Sequence, residues 1–295
     1  MQTRYLFPHY FKKIGWALLI PGLILGFLTF FYQYQIPGFQ ISIQTDPKNP
    51  NNIHIQYFSQ SLALALVIVG VMFVAFAKEK FEDELTAAIR RNALYWSILI
   101  NYTLCGILMI AAILVGEVFY DYQHILGSFG YIIGLSIYNL FSTLIFFLLR
   151  YYYLLYSKRG EYKLGKLSFL PYYPYRNIGQ YLSIFLFALF LLANKVPLIG
   201  AFWSEIVTLL CFSLLVWIFS RQKHEDELVT NMRMESMQLA LYLNYSLLLL
   251  GDIFIYGNAF FYFMIFNLFS VQIFFLMRFQ FVYNKLMREL KEVKA

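Results

Sequence analysis

Apolar stretches of about 20 residues recur along the whole of this 295-residue chain, and nothing else limits its fold so strongly. A helix needs about 20 apolar residues to cross the roughly 30 Å of hydrocarbon in a bilayer. Eight stretches qualify: 14–33, 60–77, 95–116, 130–150, 178–194, 200–220, 237–256 and 258–277. Little is left between them for a soluble domain. Charged residues make up 13% of the chain, where a soluble domain has about a quarter. The sequence therefore reads as all-α, a polytopic membrane bundle of eight transmembrane helices. Pro21 falls inside the first stretch and is expected to kink that helix without ending it. The same stretch lacks a small-residue cleavage site, so it reads as a retained helix.

Lys and Arg set the orientation. If residues 1–13 are cytoplasmic, so are 78–94, 151–177, 221–236 and the tail after 277. With Arg150 counted at its helix end, 21 of the 23 basic residues then lie on one side, leaving Lys48 and Lys195 outside. Both termini are thus expected in the cytoplasm. The net charge of +7 follows from this topology, and no nucleic-acid partner is expected. Cys105 and Cys211 each fall inside an apolar stretch and read as packing residues, not as a disulfide or a metal pair.

The chain also resembles itself. At a constant offset of 143 residues, Phe76, Lys80, Glu82, Asp83, Glu84, Leu85, Arg90, Asn101, Tyr102 and Leu104 match Phe219, Lys223, Glu225, Asp226, Glu227, Leu228, Arg233, Asn244, Tyr245 and Leu247. A second block, 139–150, aligns without gaps with 267–278 at nine of 12 positions, including Asn139 with Asn267 and Arg150 with Arg278. A weaker echo pairs Leu6, Pro8, Ile14 and Gly15 with Leu170, Pro171, Ile178 and Gly179. Apolar helices match by composition alone, but the shared polar residues do not. The expectation is a duplicated four-helix unit: 1–158, a cytoplasmic linker at 159–177, and 178–295. An even number of helices per unit puts both repeats in parallel orientation, about an axis along the membrane normal.

These motifs resemble a family of uncharacterised bacterial multi-pass inner-membrane proteins, commonly a single unit of this kind. The resemblance rests on Leu6, Pro8 and the Lys12–Trp16 run, on Lys80-x-Glu82-Asp83-Glu84 with Arg90, on Asn101-Tyr102, and on Asn139-x-Phe141 with Arg150. It covers nearly the whole chain, here as a tandem duplication; the second half lacks the Lys-Lys and the Trp at its start. It implies the bacterial inner membrane as the location. It implies no activity, only a regulatory setting, because genes of that family neighbour helix-turn-helix regulators.

Helical spacing groups the repeated polar residues. At 100° per residue, Asp83, Arg90 and Asn101 share one face if a single helix carries all three, and Asp226, Arg233 and Asn244 repeat the stripe. Asn139 to Arg150 and Asn267 to Arg278 are 11 residues apart, about three turns. Two readings follow. In the first, Asn101 and Asn139 hydrogen-bond across a helix pair while Asp83 and Arg150 clamp its inner end, with the Glu-Asp-Glu runs suiting helix N-termini. In the second, the same stripe (Glu82, Asp83, Glu84, Arg90, Asn101, Asn139, Arg150, Glu225, Asp226, Glu227, Arg233, Asn244, Asn267 and Arg278) forms a docking site or a polar cleft. Glu205 and Asp252 have no counterpart in the first half. They are expected near the outer headgroups, solvated or paired with Lys195.

No catalytic motif, no metal-ligand spacing among His9, His54, His124 and His224, and no phosphate-cradling loop occurs, so neither an enzyme nor a cofactor is expected. Two functions stand ahead of a lipid enzyme. One is a membrane-embedded binding or signalling partner, contacting a cytosolic regulatory protein through the charged segments. The other is a small-molecule transporter or channel with its pathway on the pseudo-twofold axis. The lipid bilayer is a partner in either case, and the symmetry admits a homo-oligomer.

Overall fold

The computed structural model describes residues 5–44, 53–80, 83–118, 141–157, 167–193, 195–223, 225–255 and 258–292. Helices dominate: α1 (Phe11–Phe31), α2 (Ser59–Phe76), α3 (Glu84–Val118), α4 (Ser142–Ser157), α5 (Asn177–Ala193), α6 (Trp203–Phe219), α7 (Glu227–Phe254) and α8 (Asn258–Glu292). A kinked segment, Tyr172–Arg176, with extended backbone at Tyr173, leads into α5, and the single turn Pro197–Gly200 precedes α6. Among the described residues, six stretches are long and apolar enough to cross a membrane: Phe11–Phe31, Ser59–Phe76, Glu84–Leu114, Tyr172–Ala193, Glu227–Phe254 and Tyr262–Glu292. The chain is a multi-pass membrane protein. The expected sixth span appears as Trp203–Phe219, apolar but only 17 residues long. Much of the expected fourth, 130–150, lies outside the described residues; its remainder is in α4.

One element departs from an all-helical reading. Between α1 and α2, β1 (Gln40–Gln44) pairs antiparallel with β2 (Ile53–Tyr57), with Gln40 opposite Tyr57 and Gln44 opposite Ile53. Isoleucine alternates with polar residues on both strands, which suits a pleated ribbon.

The contacts divide the chain into two units. The smaller holds residues 4–82 with 249–255. In it α1 runs unbroken through Pro21 and packs along α2 at close range. Glycine makes that approach possible: a Cβ on Gly15 would meet the Gly70 carbonyl oxygen at 2.8 Å, and one on Gly70 would meet the Leu19 nitrogen at 2.7 Å. Small residues at such crossings let membrane helices gain van der Waals contact that larger ones would block. A short parallel bridge fixes the chain before α1: the Phe7 N–H donates to the Phe76 carbonyl and the Lys78 N–H to the Phe7 carbonyl, both at 2.9 Å. Lys12 Nζ pairs with Glu79 beside it at 2.7 Å.

The larger unit is formed by the described residues of 83–248 and 256–295. Here α3 packs on α4 and α6, and α5 packs on α6. The α5–α6 pair is built as α1–α2 is. The Leu170 N–H donates to the Phe219 carbonyl and the Arg221 N–H to the Leu170 carbonyl, again a parallel bridge with both bonds at 2.9 Å. A Cβ on Gly179 would lie 2.7 Å from the Trp217 nitrogen. Further along, the Ser183 hydroxyl donates to Ser213 Oγ at 3.0 Å.

Candidate functional site

The duplicated acidic residues, with Arg233 beside Glu225, gather where the long helices α3 and α7 begin. Asp226 immediately precedes α7, and its Oδ1 accepts the Val229 N–H at 2.8 Å. Asp83 stands in the same place before α3, its Oδ1 accepting the Thr86 N–H at 2.6 Å and the Thr86 hydroxyl. Each aspartate is an N-cap, satisfying one of the donors that a helix start leaves open. The Thr86 hydroxyl and then its N–H hold the Asp83 carboxyl below its ordinary range, so it stays charged at neutral pH. Glu84 and Glu227 follow as the first helical residues, where the helix dipole favours a negative charge. All four carboxylates remain exposed.

Glu225 does something different. It accepts from Arg233 at both oxygens, Nε at 3.1 Å and Nη2 at 3.0 Å, and its Oε2 also accepts the Gln222 N–H at 2.7 Å. Arg233 is 1% exposed and Glu225 8%. The same guanidinium donates to the Ile218 and Ser220 carbonyls at the end of α6, which have no helical partner of their own. It lies between two rings, 4.6 Å from the centre of Phe169 and 4.8 Å from that of Phe279. Tyr95 backs this arrangement, edge-on to Phe169 and Phe219, with its hydroxyl donating to the Ser168 carbonyl. Arg233 thus closes α6, is neutralised by Glu225 and is held by aromatic faces.

Arg90, its counterpart, is buried at 2% exposure. Its guanidinium lies 5.3 Å from the centre of the Tyr151 ring, and Nη2 reaches the Tyr151 hydroxyl at 3.5 Å. Tyr151 and Phe279 each directly follow the arginine that closes the second repeated block. Glu82, the counterpart of Glu225, and Asn139, that of Asn267, lie outside the described residues.

The asparagines pair within the α7–α8 couple. Asn244 Nδ2 donates to Asn267 Oδ1 at 2.7 Å and to Ser270 Oγ, and all three residues are buried. Between α3 and α4 the Ser142 hydroxyl donates to Asn101 Oδ1 at 2.6 Å. Ser142 and Ser270 are 128 residues apart, the offset of the second block, so the pattern Asn-x-x-Ser carried the signal.

Two expected contacts do not form. Arg150 turns away from Asp83: its Nε donates to Asn92 Oδ1 at 3.1 Å and its guanidinium sits 5.0 Å from the centre of the Trp96 ring. Asp83 lies ahead of its helix and is used as a cap. Arg278 is half-buried, with no hydrogen-bond partner for its Nε among the described residues. Asp252 is not at a solvated boundary paired with Lys195. It is buried and has no ion pair among the described residues. Glu205 is half-exposed and accepts from the Ser204 hydroxyl at 2.9 Å.

Chemically, the gathered residues cap, neutralise and cross-link helices. Among the described residues no group of three or more His, Cys, Asp or Glu could hold a metal ion. Models of known protein families, curated proteins and solved structures, each compared with this chain, yield no match.

Proposed function

We propose that this chain is a membrane-embedded binding or signalling partner that presents two charged epitopes to a cytosolic regulatory protein. One observation carries the reading. In the second copy the acidic run is divided between framework and surface, and in both copies the described acids at its end stay exposed. Glu225 is consumed by Arg233, but Asp226 and Glu227 stay exposed beside exposed Arg221 and Lys223. In the other copy Asp83 and Glu84 are exposed, with Lys78 and Lys80 exposed just before them. In each strip basic residues precede acidic ones, and the aspartate is held in place as a helix cap.

The topology that goes with this function has eight spans in two parallel four-helix repeats, 1–158 and 178–295, joined by a linker at 159–177. Both termini then face the cytoplasm of a bacterial inner membrane. Support comes from the matched parallel bridges at Phe7 and Leu170, the glycine crossings at Gly15 and Gly179, and the matched caps. The resemblance to single-unit inner-membrane proteins points the same way. Asn267 turns toward Asn244 of its own repeat, which favours helix cross-linking over a pathway on the symmetry axis.

The test is purification in mild detergent with and without the double change Asp83→Asn, Asp226→Asn. Asparagine caps a helix about as well as aspartate, so the charge is removed and the cap kept. A cytosolic protein recovered in near-equal amount with the unaltered chain, and lost from the equally stable variant, is the expected result. Elution alone, or with lipid or a small molecule only, overturns the docking function and favours a transporter.

A further inference from the structure

We infer that Asp252 and Ser61 form a site that takes up a single positive charge, a proton or a sodium ion, inside the apolar part of the smaller unit. Asp252 lies in the 249–255 segment that belongs to the smaller unit with α1 and α2, and it is 7% exposed. The Ser61 hydroxyl, on the first turn of α2, donates to its carboxyl. Oδ2, however, is buried without a hydrogen-bond partner among the described residues. A carboxylate in such a place would hold a full negative charge with one oxygen unsolvated, which low-polarity surroundings strongly disfavour. The charge must therefore be met by a bound proton or a bound cation.

Among the described residues no side chain forms an ion pair with Asp252. The segment 249–255 has no other titratable residue, and α2 has none along its length. On α1 the charged residues are Lys12 and Lys13. Gly26 lies level with Ala63, so Ser61 is level with about residue 28 of α1, roughly 24 Å along the helix from Lys12. Lys12 is in any case engaged by Glu79. The remaining titratable residues described at that end are Tyr32 and Tyr34 after α1, and His54 and Tyr57 on β2. The Ser61 hydroxyl offers oxygen chemistry beside the carboxyl. The neighbouring turn adds a buried Ser59, whose Oγ accepts the Ile36 N–H at 2.9 Å, and a Gln35 Oε1 that is buried without a partner. Hard oxygen donors around one acid suit a proton or sodium and not a soft metal. The site is independent of the exposed strips proposed above for docking.

Infrared difference spectroscopy of the full chain in lipid nanodiscs reads the carboxyl directly. In sodium-free buffer at neutral pH, a protonated-carboxyl band is expected that disappears in Asp252→Asn. If added sodium at constant pH removes the band, the ion competes for the site; if only raised pH removes it, the occupant is the proton. Ser61→Ala should move the loss of the band to higher pH, because it removes a donor that favours the charged form. This second variant keeps the test open should Asp252→Asn fail to fold. A carboxyl already ionised in sodium-free neutral buffer, with no Asp252-dependent band, overturns the inference.

Discussion

Arg233 and Glu225 form a two-pronged ion pair at the start of α7, and the same guanidinium holds the last carbonyls of α6. One side chain therefore ends one helix while its partner acid sits just ahead of the next. Removing either alone strands a buried charge. Glu225→Ala or Arg233→Ala should lower stability by about 3–5 kcal/mol. The double change Glu225→Leu, Arg233→Met should be milder than either. Unfolding in mixed micelles, followed by circular dichroism, measures all three. Arg233→Lys should resemble the alanine variant, because an ammonium cannot reach two carboxylate oxygens and two carbonyls in one plane.

The glycine crossings give a graded test. Gly15→Ala and Gly179→Ala place a methyl against backbone, 2.8 Å from the Gly70 oxygen and 2.7 Å from the Trp217 nitrogen. Each should destabilise its helix pair by about 1–3 kcal/mol. Gly26→Ala meets only the Ala63 Cβ, at 3.9 Å, and should be neutral or slightly favourable. Thermal unfolding midpoints of the three variants, compared side by side, settle the ranking.

The α7–α8 cross-link should show coupling and not merely loss. Asn244→Ala and Asn267→Ala are each expected to lose about 0.5–2 kcal/mol. The double variant should fall short of their sum, since both delete one shared hydrogen bond. A double-mutant cycle measured by unfolding is the check, and strict additivity would place the two amides in separate roles.

Asp83 carries a pH dependence of definite sign. Its carboxyl titrates below the ordinary value of 3.8 because the charged form accepts from Thr86. The charged cap therefore contributes fully above that value and is lost as pH falls through the lowered one. Asp83→Asn should abolish this part of the acid sensitivity with little effect at neutral pH. Asp83→Ala should lose about 0.5–2 kcal/mol throughout. Helix content followed during an acid titration distinguishes the two.

The eight-span topology makes its own prediction. Single cysteines at Lys285 and Arg221, in a background with Cys105 and Cys211 replaced, should react with a membrane-impermeant reagent only from the cytoplasmic side. A cysteine at Lys195 should react only from outside. Labelling of the Lys195 position from the cytoplasm would remove one of the spans between α5 and α7.

Helix positions were legible because apolar length and charge bias report directly on the membrane. The caps were half legible. Asp83 and Asp226 stand just ahead of an apolar periodicity, which is where a cap belongs. Counting 100° per residue from Asp83, however, assumes a helix that has not begun, so the stripe through Arg90 and Asn101 does not include it. The same reason hides the pairing of Glu225 with Arg233. Eight residues have no fixed angular relation when one of them lies in a connection. Phe169 and Tyr95 come together only through tertiary packing, and no spacing announces them. Ser142 and Ser270 could have been found, because they recur with the asparagines. The β1–β2 hairpin also left a trace in its alternating isoleucines, obscured by the polar loop around it. Asp252 could not have been placed: helix depth gives height in the membrane but not which neighbour covers a side chain.

The pocket around Arg233 draws on Phe169, on the end of α6, on Glu225 and on Phe279, near the last turns of α8. A ribosome makes these parts in that order, so Glu225 is in place before Arg233 emerges and the charge is born with its partner. The second aromatic wall arrives 46 residues after the arginine it covers. Until Phe279 joins it, the Arg233 guanidinium lacks the second of its two aromatic faces.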